Sequence, residues 1–153
     1  MHPHIRRAGL ADALAAGRLL HRFNTEFNEP TPEPEALAER LEELMRTGET
    51  AILLAGPEPA GLVVLRFRPA IWSKRLECYL AELYVIPEER RRGLGRALMT
   101  AAIELARAQG ADWMDLGTEE TDTAARALYE SLGFINRHGG ADGPVSYFYG
   151  REL

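Results

Sequence analysis

Residues 90–96, Arg-Arg-Arg-Gly-Leu-Gly-Arg, set four arginines around two glycines where a strand-like stretch gives way to an apolar-periodic one. The first turn of a helix carries N–H groups without intrahelical partners and a partial positive charge, which together suit a phosphate. Gly93 and Gly95 let such a ligand approach the main chain with no Cβ in the way. Arg90, Arg91, Arg92 and Arg96 can add charge-assisted, bidentate contacts to its oxygens. Two familiar phosphate loops are excluded. A dinucleotide fingerprint needs a third glycine where Leu98 stands, and a Walker loop needs Gly-Lys-Ser/Thr, which is missing. A pyrophosphate cradle of another type remains, beside the plainer reading of a solvated turn entering a helix.

The proton-handling candidates lie elsewhere. Glu82 interrupts the otherwise apolar "YLAELYVI". Burial there would raise its pKa toward the range of a general base, unless it faces solvent or pairs with an arginine such as Arg66. Tyr129, in "TAARALYESLGF", sits on a helical repeat as an aromatic that would pack on the core. Asp122 precedes that repeat as an N-cap. His138 reads as a solvated loop histidine. Cys78 is the only cysteine, which rules out an intramolecular disulfide and a cysteine zinc site and reads as a small buried hydrophobe.

These groups need a scaffold. The chain of 153 residues suits a single domain, 1–153, large enough for a core without disulfide or metal support. No apolar run approaches the roughly 18 residues of a membrane span. Met1-His2-Pro3-His4 does not begin a signal peptide, so the expectation is a cytoplasmic protein without a membrane partner. Eighteen basic against 23 acidic residues leave a net charge of −5, which argues against a nucleic-acid binder and makes the arginine cluster a local exception.

Periodicity predicts a strand at "HIRRA" and helices over "LADALAAGRLLHRF" and "EALAERLEELMRTG", separated by the proline-rich loop "NEPTPEPE". "TAILLAG" and "AGLVVLRFRP" form a hairpin, and "LECYLAELYVI" a longer strand ending at Pro87. A helix runs from Gly93 to Gly110, "DWMDLGT" is a strand, and "TAARALYESLG" a helix closed by Gly133. "FINRH" and "VSYFYGREL" are expected as final strands around "GGADGP". The fold class is α/β (α+β): a mixed, mainly antiparallel sheet with one parallel insertion and helices on both faces.

Two motifs in this order resemble the GNAT superfamily of acetyl-CoA-dependent N-acetyltransferases. Arg90-Arg91-Arg92-Gly93-Leu94-Gly95 matches its Arg/Gln-x-x-Gly-x-Gly/Ala signature, and Ala125 through Phe134 matches its Ala-x-x-Leu-Tyr-x-x-x-Gly-Phe. The resemblance spans essentially the whole chain. It implies acetyl-CoA as co-substrate and no metal, with the pyrophosphate on the backbone of Arg90–Arg96. The pantetheine would pair with the main chain of Leu83, Tyr84 and Val85, in the gap where that strand splays from the one near Asp112. Tyr129 would supply the proton donor for the departing thiolate, and Asp122 and Ala125 would line the cofactor.

The general base does not carry over. In "YLAELYV" the family's carboxylate position is Ala81, so Glu82, Glu77 or a water relay must take the amine's proton. Asp122 also departs from the family's asparagine and can accept but not donate at neutral pH. The resemblance places the acceptor near "FNTEFNEP", Trp72 and Tyr79. Phe27, Glu26, Glu29, Trp72 and Tyr79 there suit a small cationic amine through Coulomb and cation–π attraction. A protein N-terminus or lysine, or an acetyl-CoA sensor without turnover, are the other readings, and a homodimer stays open.

Overall fold

The computed structural model describes residues 4–153; Met1–Pro3, part of the stretch on which the signal-peptide reading rests, lie outside them. The described chain forms two compact units, one ending at Met114 and one running Asp115–Leu153. No described helix is long and apolar enough to cross a membrane.

The first unit carries β1 (Ile5–Arg7), α1 (Ala13–Glu26), α2 (Pro34–Arg46), β2 (Thr50–Ala55), β3 (Gly61–Pro69), β4 (Leu76–Val85), α3 (Leu94–Ala108) and most of β5 (Ala111–Asp115). The strands lie in the order β1-β2-β3-β4-β5, with β1 through β4 antiparallel. β5 returns to β4 by way of α3, the crossover that a parallel neighbour needs.

Burial explains why β2 is apolar throughout rather than alternating. Every residue of β2 is buried, as expected for a strand covered on both faces. Ile52, Leu54, Leu62 and Val64 form one cluster with Ala16 and Leu19 of α1 and Leu41 of α2. The opposite face meets α3, where a Cβ built on Gly61 would stand 3.2 Å from Leu98 Cδ1. Helices therefore flank both faces, as the sequence predicts. The two helices of the first layer are pressed together at Gly17, where an added Cβ would lie 2.6 Å from the Pro34 carbonyl oxygen.

Periodicity did not reveal a break in β4. Its register against β3 shifts between Val64 and Leu65, which oppose Glu82 and Leu80 and leave Ala81 as an extra residue. Side chains of a strand alternate between faces, so one added residue reverses the assignment beyond it. Leu80 opposes Leu65 on the α3 side, whereas Glu82 and Tyr84 oppose Val64 and Leu62 on the α1–α2 side.

The second unit holds α4 (Thr123–Ser131), followed by Gly133 in the left-handed region at φ 92°. Here the structure corrects the sequence. Among the described residues "FINRH" and "VSYFYGREL" are not assigned as strands; within this unit an isolated bridge joins Arg137 and Val145. Among the described residues, bonds from His138 N–H to the Pro144 oxygen and from Ser146 N–H to the Asn136 oxygen link the two segments. Pro144 has no N–H to extend the ladder, and Tyr147, Phe148 and Tyr149 stay exposed.

Gly17→Val tests the α1–α2 contact. Forcing a branched side chain against a backbone carbonyl should cost about 2 kcal/mol, a fall of about 4–8 °C in melting temperature for a chain of this size. An unchanged thermal transition by circular dichroism would contradict so close a packing.

Candidate active site

The cradle predicted at residues 90–96 has a backbone to match. After a 3-10 turn at Pro87–Glu89, Arg90 is extended, Arg91 has φ 65° and Gly93 has φ 80°. Gly93 is the N-cap of α3, so the N–H groups of Leu94 and Gly95 belong to a first turn without carbonyls one turn back. A turn of this kind makes an anion-binding concavity. A Cβ on Gly93 would meet nothing within 4 Å; the space in front of the loop is open, and glycine is demanded by the backbone angle. Arg91 adopts that region despite its side chain, a strained choice that tends to mark functional loops. Arg91, Arg92 and Arg96 are exposed, and Arg92 bonds Glu89 at 3.1 Å.

Arg90 does something else. Its Nη2 donates to both oxygens of Glu26 at 2.8 Å, and its Nε donates to the Val85 carbonyl at 3.0 Å. The guanidinium also lies 5.7 Å from the centre of the Tyr84 ring. Tyr84 Oη donates to Glu26 Oε1 at 2.7 Å, and Phe23 stacks on Tyr84 at 4.8 Å. A second pair, Arg22 with Glu88 at 2.5 Å, joins α1 to the same turn. The side chain of Arg90 thus fastens the end of α1 to the entrance of the loop instead of facing a phosphate. Sequence reasoning placed Glu26 with the acceptor; a partner 64 positions away leaves no local signal.

β4 presents its main chain in alternation. Ile86 N–H donates to the Ala60 oxygen, so Tyr84 bonds toward β3 while the N–H and C=O of Leu83 and Val85 turn to the β5 side. A bond from Leu76 N–H to the oxygen of Gly110, just ahead of β5, at 3.3 Å lies at the far end of β4 from Val85. Of the three positions expected to pair a ligand, Leu83 and Val85 have the right direction and Tyr84 does not.

Glu82 stands on the α1–α2 side beyond the bulge. It is exposed at its surface, yet the surrounding strand desolvates its carboxyl enough to raise its pKa above the usual carboxylate range. Among the described residues no ion pair involves Glu82, and Arg66 stands opposite Tyr79 instead. Glu77 is engaged, accepting from Arg68 Nε at 2.6 Å.

In the second unit Asp122 is an N-cap, its Oδ1 accepting from Ala125 N–H at 3.1 Å. Such a cap contributes about 1 kcal/mol. Tyr129 is buried with its ring edge-on to Phe134 at 6.2 Å. Burial, with a smaller contribution from the Asp122 charge, pushes its pKa up to about 12. His138 lies exposed in the glycine turn.

The four acceptor residues are not gathered. Phe27 packs edge-on to Phe23 at 5.5 Å, close in sequence to exposed Glu29. Tyr79 is half-buried within β4. Trp72 is at the tip of the β3–β4 hairpin, 95% exposed and at the opposite end of β4 from Val85.

Comparison with known proteins adds a consistent set of likenesses. The sequence model of the Acetyltransferase (GNAT) family matches residues 16–134. A solved candidate acetyltransferase from Arthrobacter sp. FB24 shares the fold with a TM-score of 0.88 at 42% identity, covering 100% of this chain and 96% of that one. A mycothiol acetyltransferase of Beutenbergia cavernae is 36% identical over 110 residues, 66% of this chain and 36% of its own length. An uncharacterised N-acetyltransferase of Bacillus subtilis is 29% identical over 133 residues, 86% of this chain and 89% of its own length. The chain spans about a third of the Beutenbergia mycothiol acetyltransferase.

Tyr84, like Tyr129, is pushed up to about 12, mainly by burial, from the ordinary 10.0. A raised folded-state value means that the unfolded chain loses those protons first, so the stability from keeping both phenols neutral is complete below pH 10 and fades as pH climbs toward 12. Titration of tyrosinate absorbance should show two of the five tyrosines ionising late, and Tyr84→Phe should remove one of the two. Five tyrosines ionising together near 10 would contradict the burial.

Proposed function

This chain belongs to the GNAT acetyltransferase family and is an N-acetyltransferase; from that footing we propose that its residues 1–153 act as one catalytic domain. The reaction is transfer of the acetyl group of acetyl-CoA to a primary amine of a small cationic molecule, by direct attack of the amine on the thioester. The observation that carries this reading is the left-handed loop at Arg91 and Gly93, which opens in front of the first turn of α3 and follows directly on the outward-facing main chain of β4.

The residues present fit such a co-substrate. The N–H groups of Leu94 and Gly95, with exposed Arg91, Arg92 and Arg96, would hold its pyrophosphate. Leu83 and Val85 would pair its pantetheine amides as a strand edge pairs a peptide. Bound there, acetyl-CoA supplies an acetyl carbon activated by a thiolate leaving group.

Glu82 takes the proton that the amine must lose. Its desolvated carboxyl is a stronger base than a solvated one, and no arginine neutralises it among the described residues. Tyr129 keeps its own proton throughout neutral pH. A phenol near 12 is a weaker acid than a thiol near 8.5 by about 3.5 units, about 5 kcal/mol. Its O–H therefore acts by hydrogen-bonding the charge that develops on sulfur, not by giving the proton up first. The acceptor is positioned by Phe27 and Glu29 at the end of α1, whose aromatic face and charge suit an ammonium group. The mycothiol acetyltransferase name of one relative agrees with a small-molecule acceptor.

A panel of amines assayed with acetyl-CoA by released thiol tests this reading. Small cationic amines should turn over, and peptides bearing a free N-terminus or lysine should not. Tyr129→Phe keeps the ring, so kcat should fall about 100-fold, the size of losing one donor to developing charge. The acetyl-CoA KM should stay within about twofold, because the lost bond exists mainly in the transition state. A kcat within twofold of wild type would take Tyr129 out of the reaction.

A further inference from the structure

The first unit holds a cavity that no step of acetyl transfer uses. It measures about 430 Å³, within the range of small-ligand sites. All of its lining belongs to residues 15–86 of that unit. One wall is a single face of α1, where Ala15, Arg18, Leu19 and Arg22 recur at helical spacing. The other is the turn between β2 and β3, Pro57-Glu58-Pro59. Ile86, just after β4, completes the lining.

Both walls are held in place. Arg22 bonds Glu88 and Arg90 bonds Glu26, which fasten α1 at two points. Ala60 N–H donates to the Ala55 oxygen and closes the turn, and Ile86 N–H donates to the Ala60 oxygen and ties the turn to the end of β4. Pro57 and Pro59 fix φ on either side of Glu58 and carry no N–H, so this wall is stiff and poor in donors. A wall of that kind suits a ligand that itself donates.

The charges narrow the class of ligand. Arg22 and Glu88 neutralise one another. Arg18 and Glu58 stand on different walls, both exposed, and among the described residues neither side chain has a hydrogen bond or an ion pair. A lone anion drawn to Arg18 is repelled by Glu58, and a lone cation meets the reverse. A molecule with one charge of each sign satisfies both, and its apolar body covers Leu19 and Ile86. In a single α-amino acid the two charges share one carbon and do not reach separate walls. In an extended dipeptide they stand up to about 7 Å apart.

We propose that this cavity binds a short apolar peptide with free ends, its carboxylate on Arg18 and its ammonium on Glu58. None of the residues assigned to acetyl-CoA, to the acceptor or to its proton lines the cavity, so the site is additional to the acetyl-transfer centre.

Calorimetric titration of the full chain with leucyl-leucine at millimolar concentration tests the assignment. The dipeptide should bind at one site per chain. N-acetyl-leucyl-leucine and leucyl-leucine amide should each bind at least fivefold more weakly, having lost one charge-assisted contact. Arg18→Gln should weaken leucyl-leucine at least fivefold and no longer distinguish it from its amide. Glu58→Gln should do the same for the dipeptide and its acetylated form. Both positions are exposed, so both variants should keep the wild-type far-ultraviolet spectrum; if one does not fold, the capped dipeptides on the wild-type chain decide alone. No heat from the wild-type chain would overturn the proposal, and so would capped dipeptides that bind as tightly as the free one. Folded variants that keep wild-type affinity would also overturn it, by placing the dipeptide on another surface such as the amine acceptor site.

Discussion

One guanidinium joins the end of α1 to the end of β4 and to the loop that follows it. Arg90 reaches the carboxylate that ends α1, the carbonyl that ends β4 and the ring of Tyr84 between them. The pair with Glu26 is partly exposed, and such pairs contribute little net stability. Its value is geometric. Arginine's planar fork fixes direction as well as distance, and the direction here sets where the chain leaves β4 and how it turns into the left-handed loop. With Arg90 held on one side, the main chain of Arg91 to Gly93 presents its other side to solvent.

The bulge at Ala81 is the second constraint, and it has a chemical consequence. Had β4 kept its register, Glu82 would share a face with Leu80, against α3. A carboxylate there would be buried without a partner at a cost of several kcal/mol. The extra residue turns it to the α1–α2 side, where it keeps an exposed surface yet is desolvated enough to resist ionisation. A strand that must be apolar for folding thereby carries one carboxyl group whose pKa is raised.

Much of this was legible in the residues. Helix and strand positions follow from periodicity because apolar faces must be buried, and Gly93, Gly110 and Gly133 mark turns that need positive φ. The left-handed turn at the start of α3 was readable from Gly93. Less readable were features decided by tertiary context. Arg91 takes a left-handed angle that favours glycine, the bulge at Ala81 has no composition cue, and Arg90 meets a partner that only folding supplies. The segment 145–149 has the composition of a strand, yet within its unit it makes one isolated bridge among the described residues, to Arg137, because propensity by itself fixes no pairing partner.

The account stands on the cradle, and the direct measurement is calorimetric titration of the chain with acetyl-CoA, wild type beside Gly93→Val. A branched side chain on that residue would occupy the open space before α3 and resist the φ of 80°. With the variant's thermal transition intact, its dissociation constant should rise at least tenfold, about 1.4 kcal/mol. Equal affinity in a folded variant would contradict the cradle and the reading of the loop that rests on it.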